Sequence, residues 1–268
     1  GTVHSLAVQT RCLVSRLETH LLGNHLFANG KALVFAGLFF EGEEADRWFA
    51  KGLDVLRREV PEQILADGGH FERSPMYHSL ILDDLLDLVN LSRACAGGSG
   101  PPVCIPVREW EEAAVRMLSW LGIMCHPDGE IALFNDSAFG VSPSARELEA
   151  YAARLGLRAA VRLGDGITHL KESGYVRVQK DSALLLLDVG PLGPDYLPAH
   201  GHADTLGFEM SLHRQRVIVD SGVSRYDDCP ARLFERGTKA HNTVAVDGQD
   251  SSEVWGSFRV ARRARPFG

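Results

Sequence analysis

The hydrophobic period of this chain changes once, from helical to alternating, and that change limits what the chain can fold into. Over residues 6–22, 24–40, 43–65, 76–95 and 107–124, apolar residues recur at three- and four-residue spacing, the signature of amphipathic helices. Short breaks separate these stretches: Leu22-Gly23-Asn24, Glu41-Gly42-Glu43 and a Gly- and Pro-rich run over 97–102. Successive long helices with short turns predict antiparallel pairs, as in a bundle or an α/α toroid. From about Ile167 the period becomes two, and residues 174–178, 182–188, 205–212, 217–220 and 242–247 read as strands. His213-Arg214-Gln215-Arg216 reads as a hairpin loop between two of them. A run of helices followed by a run of strands predicts an α+β, multidomain chain. We place a helical domain at 1–165 and a β domain at 166–268, with 136–155 as a loop and helix at the seam.

The strand region carries residues that strands seldom use. His200-Gly201-His202-Ala203-Asp204 is followed about forty residues later by His241-Asn242-Thr243. On an extended strand His200 and His202 share a face. Asp220 ends the strand after the hairpin, and His241 opens another. Imidazoles and carboxylates at such positions point to a metal or to proton transfer. A His, Asp and His set drawn from separate strands suits zinc. The same residues equally serve as hydrogen-bonded core histidines, with Asp204, Asp220 and Asp247 as turn formers. Arg225-Tyr226 and the cations within 232–236 add positive charge that can hold carboxylate or sulfate, or face solvent.

Two further clusters lie in the helical half. In Gly23-Asn24-His25-Leu26-Phe27-Ala28-Asn29, Asn24 is placed to cap a helix, or to hold an anionic substrate group together with its neighbour. His25 falls in the first turn, where the helix dipole disfavours its cationic form, and Asn29 lies one turn further on the same face. The stretch Asp67-Gly68-Gly69-His70-Phe71-Glu72-Arg73-Ser74-Pro75-Met76-Tyr77-His78 is a polar loop entering a helix through Pro75. Tyr77 and His78 then sit near a helix start. The loop is either functional or pinned by Glu72–Arg73 charge contacts with Ser74 as cap.

Composition narrows the function classes. A net charge of −7 argues against nucleic acid as partner, since neutralising phosphates needs a basic surface. With 45% hydrophobic and 24% charged residues the chain reads as an ordinary globular protein. No long uncharged apolar run is present, so no membrane-spanning helix and no membrane partner are expected. Cys12, Cys95, Cys104, Cys125 and Cys229 are odd in number and lack metal or disulfide spacing. The chain has neither a Met start nor a signal peptide, and Ala264-Arg265-Pro266-Phe267-Gly268 stops without a closing element. A fragment of a longer protein is expected.

Taken together the clusters resemble the heparinase II/III-like polysaccharide lyases, a largely bacterial family. The matching strings are Gly23-Asn24-His25, the run from Asp67 to His78, Asn135-Asp136-Ser137 and His200-Gly201-His202-Ala203-Asp204-Thr205-Leu206. Val219-Asp220-Ser221-Gly222 and Ala240-His241-Asn242-Thr243-Val244-Ala245-Val246-Asp247-Gly248 complete the set, in order along nearly the whole chain. The resemblance implies an α/α toroid followed by an antiparallel β-sandwich, both incomplete here, with the active site in the cleft between. It implies cleavage of an acidic, uronic-acid-containing polysaccharide by β-elimination. In that scheme Asn24 and His25 neutralise the uronate carboxylate, and Tyr77 acts as acid, or as combined acid and base. His200 is the base for one uronate epimer. Asn29, Glu72, Arg73, His78, Arg225 and Tyr226 are read as substrate-binding. A tyrosine base needs its pKa lowered, for which Arg73 or a protonated histidine is the expected source. The metal-bearing branch of the family implies zinc on His202, Asp220 and His241, bracing the wall beneath the cleft rather than activating water. A hydrogen-bonded His–Asp–His cluster is the alternative. The division requires Gly201 to sit in a bend, so that His200 and His202 part. Export to the periplasm or beyond is the family habit.

Two other classes compete with the lyase. A glycoside hydrolase on the same scaffold requires two carboxylates flanking the bond, with Asp67, Glu72 and Asp136 as candidates. A non-catalytic protein that binds acidic glycans keeps the cleft without the chemistry. Heparin, heparan sulfate, alginate and bacterial exopolysaccharides all remain open as substrates, and the low basic content gives highly sulfated heparin no special support.

Overall fold

The computed structural model describes residues 1–95, 105–161 and 163–267. The Gly- and Pro-rich run 97–102 and Cys104 lie outside them. Packing divides the chain into two compact units, Gly1–Gln63 with Asp83–Ala114, and Ile64–Leu82 with Val115–Gly268. The division by chain order at 165 and the division by packing therefore differ. Helices α4 (Pro75–Cys95) and α5 (Val107–Ile123) each pass from one unit to the other.

The first unit is helical. It contains α1 (Thr2–Ser15), α2 (Gly23–Phe39) and α3 (Glu43–Gln63), with parts of α4 and α5. Glu43, Glu44 and Asp46 open α3, where carboxylates complement the helix dipole. Leu33, Ala45 and Trp48 form its core, flanked by Leu13, Val14, Leu17 and Phe40. The α2–α3 contact is close enough that a Cβ on Gly52 would lie 2.7 Å from the Gly30 carbonyl oxygen, so only glycine fits there. Lys31 sits between Asp84 and Asp87, 2.6 Å from each.

The second unit is built on a five-stranded antiparallel sheet in meander order: β1 (Gly166–Leu170), β2 (Tyr175–Lys180), β3 (Ala183–Asp188), β4 (Phe208–Leu212) and β5 (Gln215–Ile218). Alternation puts Leu184 and Leu186 of β3 and Tyr175 of β2 on the inner face. They pack with Trp120, Ile123 and Met124 at the end of α5 and with Ala132 and Phe134. Burying each such side chain contributes roughly 1.5–3 kcal/mol. The β4–β5 turn is the two-residue loop His213-Arg214, both at positive φ (49° and 68°), as a type I′ hairpin demands. Arg177 donates to the Ile123 and Cys125 carbonyls, closing the C-terminus of α5. Helix α6 (Ala145–Arg154) carries a full capping box between Ser144 and Glu147.

The stretch 242–247, read as a strand opened by His241, is not one. His241 follows a single 3-10 turn (Thr238–Ala240). Asn242 donates to the Val219 carbonyl, and Thr243 donates to that of Thr205. These side-chain bonds replace a ladder, and Val244 and Val246 of the alternating pattern are left exposed. Helix α7 (Pro230–Arg236) and the small hairpin of β6 (Val254–Gly256) and β7 (Arg259–Val260) were not legible from periodicity.

Candidate active site

The triplet Asn135-Asp136-Ser137 is the hub of the second unit. Ser74 both caps α4, accepting from the Tyr77 amide at 3.2 Å, and donates to the Asp136 carbonyl at 2.6 Å. Ser137 Oγ lies 2.9 Å from Ser74 Oγ and accepts from the Met76 amide. The Asn135 side chain donates to the Arg73 carbonyl and accepts from the His202 amide. The loop before α4 and the turn around His200 are thereby tied to one tripeptide.

The Asp136 carboxylate organises the histidines. Its Oδ2 meets His200 Nδ1 at 2.8 Å, its Oδ1 meets His202 Nε2 at 2.7 Å, and the Arg232 guanidinium donates to both oxygens. Burial alone would raise this carboxyl, but the hydrogen bonds from His200, His202 and Arg232 hold it far below the usual carboxylate range. Asp136 is therefore an acceptor, and His200 Nδ1 carries the proton facing it. The other ring nitrogen, Nε2, lies 3.5 Å from Glu72 Oε2.

Tyr77 covers the His200 ring, with centroids 4.0 Å apart. Its hydroxyl donates to the Tyr226 hydroxyl at 3.4 Å. The Tyr77 pKa is raised, chiefly by burial, so this phenol stays protonated. The expected lowering by Arg73 does not occur, because its guanidinium donates to the Ser173 and Glu172 carbonyls instead. The same bonds replace the Glu72–Arg73 contact expected within the loop.

Gly201 lies in an irregular turn, as the separation of the two histidines requires. A Cβ there would lie 2.0 Å from Leu192 Cδ2. Yet His200 and His202 do not part to different partners; they converge on Asp136 from its two oxygens. His202 is fully buried, and its Nδ1 has no hydrogen-bond partner. Asp220 instead accepts from His241 Nδ1 at 2.8 and 3.0 Å, while the His202 and His241 rings stand 5.2 Å apart. Among the described residues no three His, Cys, Asp or Glu side chains group closely enough as placed to hold a metal ion, while His241 Nε2, like His202 Nδ1, is buried without a hydrogen-bond partner; zinc on His202, Asp220 and His241 stays a proposal. No step below runs through a metal.

His78, which the resemblance assigns to substrate binding, is fully buried. Its Nε2 meets the Met117 carbonyl oxygen at 3.0 Å and its ring stacks on Trp120 at 4.3 Å. Burial pushes its pKa down to about 3, and that of the equally buried His70 down to about 4. A folded-state value below the unfolded one means the unfolded chain takes up protons first as pH falls. Stability is then full above the unfolded value near 6.5 and declines below it, by up to roughly 1.4 kcal/mol per pH unit for each histidine. His70 and His78 together are expected to make urea melts at pH 7 and pH 5 differ by roughly 4 kcal/mol, and a profile unchanged by replacing both would contradict these assignments.

Arg232 is likewise a correction. The cations of 232–236 were expected to bind substrate anions or face solvent, but Arg232 and Arg236 are completely buried. Arg225 is half exposed and pairs with Asp227 at 3.2 Å. In the first unit, Asn24 does not cap α2: the helix starts at Gly23 and Leu22 holds the cap position at φ 60°. His25 Nδ1 lies 3.4 Å from Glu18, and the buried Asn29 amide bonds to Glu18 through both its oxygen and its nitrogen.

Comparison with known proteins matches this arrangement to one family. The model of the heparinase II/III N-terminus covers residues 3–154, and that described as heparinase II/III-like, C-terminal, covers 163–267. The chain belongs to the heparinase II/III family. A heparin-sulfate lyase from Pedobacter heparinus is 26% identical over 261 residues, covering 87% of this chain and 38% of that protein. Another from Bacteroides stercoris is 28% identical over 254 residues, covering 87% of this chain and 37% of that protein. The chain thus spans less than two fifths of the length of these heparinase II/III relatives. A crystal structure of heparinase III superposes with a TM-score of 0.76 at 23% identity, over 91% of this chain and 42% of that one, a likeness in fold.

Proposed function

We propose that the protein is a polysaccharide lyase that cleaves a uronic-acid-containing glycan of the heparan-sulfate type by β-elimination. The observation that carries the reading is the Tyr77–His200 pair: a protonated phenol 4.0 Å, centroid to centroid, from an imidazole tilted 33° to it, whose Nδ1 is held by an ionised Asp136. His200 Nε2, which lies 3.5 Å from Glu72 Oε2, takes the C5 proton of the uronate. Tyr77 gives its proton to the departing O4 oxygen. An acid with a raised pKa suits that donor role better than the combined acid and base role, which needs a phenolate. The role of Asn24 and His25 at the uronate carboxylate is proposed on resemblance alone; a preorganised donor of that kind is typically worth ~3–4 kcal/mol. We read the helices as part of an α/α toroid and the sheet as part of a β-sandwich on the same ground.

Two features weigh against a hydrolase. Asp136 cannot serve as general acid while two histidines and an arginine hold it ionised. Asp67 is engaged by the Ser173 amide and hydroxyl and by the Gly69 amide. The heparin-sulfate lyase relatives favour heparin or heparan sulfate over alginate. A panel of uronic-acid glycans, assayed for an unsaturated, ultraviolet-absorbing product, tests this: heparan sulfate is expected to give it, and its absence from every glycan overturns the reading. Metal analysis of the same sample decides the zinc expectation separately. Stoichiometric zinc would mean that the Asp220–His241 hydrogen bond gives way to coordination.

A further inference from the structure

We propose that Phe258, with Tyr226 beside it, forms a stacking subsite for one sugar ring of the glycan next to His200, and that Arg232 fixes its position. The proposal rests on the lyase reading and adds to it where the chain of sugars lies. Phe258 sits in the turn between β6 and β7, 43% exposed, and Tyr226 is 36% exposed. Their rings stack, parallel to within 7° with centroids 6.1 Å apart, as one partly exposed aromatic pair. Phe258 also stands edge-on to the His200 ring at 6.5 Å, and Tyr226 receives the Tyr77 hydroxyl bond. Exposed aromatics scattered singly need no explanation. This pair adjoins the two groups assigned to proton transfer.

The turn that carries Phe258 is held more firmly than a hairpin of three- and two-residue strands could hold itself. Ser257 O accepts from Arg232 Nε and Nη2 at 3.2 and 3.0 Å, and Gly256 O accepts from Arg236 Nη1 at 2.6 Å. Both guanidiniums are buried, an arrangement that is costly unless their donors are used. Arg232 also lies over both rings, 5.2 Å from that of Tyr226 and 5.6 Å from that of Phe258. The same guanidinium holds Asp136, and Asp136 holds His200. One buried cation therefore sets the spacing between the His200 ring and the aromatic pair.

The ligand chemistry follows from that pair. A pyranose ring has an apolar face of C–H bonds and a polar rim of hydroxyls. A rigid aromatic plane buries the C–H face at little entropic cost and leaves the rim free for hydrogen bonds. Such a plane tolerates differing sulfation, because it reads the ring face and not its substituents.

The test combines kinetics of Phe258→Ala, Phe258→Leu and Phe258→Trp on heparan-sulfate oligosaccharides with calorimetric Kd values measured in the Tyr77→Phe background. Ala and Leu are expected to raise KM and Kd together by roughly three- to tenfold, the larger part of the loss lying in KM, and Trp to restore both. Leu keeps apolar bulk for the hairpin but removes the flat face, so it answers the case in which Ala disturbs folding. If Leu binds and turns over like wild type, the subsite is overturned and the lyase reading stands. If the wild type gives no unsaturated product, the lyase reading fails and the Kd values alone decide. Equal Kd for wild-type and Leu side chains then overturns the subsite, and a weaker Kd for Leu supports it.

Discussion

Tyr77→Phe is expected to lower kcat by at least roughly 10²–10⁴-fold, the usual worth of a positioned general acid, while KM changes little. The hydroxyl makes one long hydrogen bond, 3.4 Å to Tyr226, whereas the ring makes the tilted face contact with His200. Phe keeps the ring and removes only the proton. Melting temperature should therefore hold while turnover is lost, and progress curves with a thermal melt of the same sample read both. A non-catalytic glycan-binding protein predicts no change in either. If the variant keeps wild-type turnover, Tyr77 is not the acid, and the assignment based on its raised pKa fails with it.

Arg232→Met is expected to cost roughly 3–5 kcal/mol of stability, the penalty for leaving one member of a buried ion pair alone. For a chain of this size that lowers the melting temperature by roughly 10 °C. Asp136 then keeps its negative charge without its guanidinium partner, and the Ser257 carbonyl loses two donors. Adding Asp136→Asn to the same chain removes the orphaned charge and should recover much of the stability. It should not recover turnover, because a neutral amide no longer fixes the proton of His200 on Nδ1. Stability and activity thus separate in the double variant, whereas a purely structural role for the pair has them return together.

Much of this was legible in the sequence because periodicity and local chemistry agree there. Helices α2 to α5 followed their apolar spacing, with Pro75 opening α4 as its fixed φ requires, whereas the helix read over 6–22 ends at Ser15. Strands β2 to β4 followed the alternation, and β5 begins at Gln215, inside the stretch read as a hairpin loop. The strand at 242–247 failed because Val244 and Val246 alternate without a partner strand, and alternation alone does not reveal the side-chain bonds of Asn242 and Thr243. Tyr77 and His200 were found as motif residues, and the structure brings their rings into contact. What binds them was not visible. Asp136 stands in the sequence as a motif residue and a candidate acid, and Arg232 as one cation among several, since a contact 96 residues apart leaves no local pattern. Phe258 lay in a segment with no signal except an unexplained aromatic.

Mass balance of a single cleavage tests the central claim most directly. A heparan-sulfate oligosaccharide of defined mass is digested and both products are weighed by mass spectrometry. Elimination predicts two masses that sum to that of the substrate, with the double bond on the fragment bearing the uronate, and no such cleavage by Tyr77→Phe. Products whose masses sum to the substrate plus one water would show hydrolysis and contradict the account.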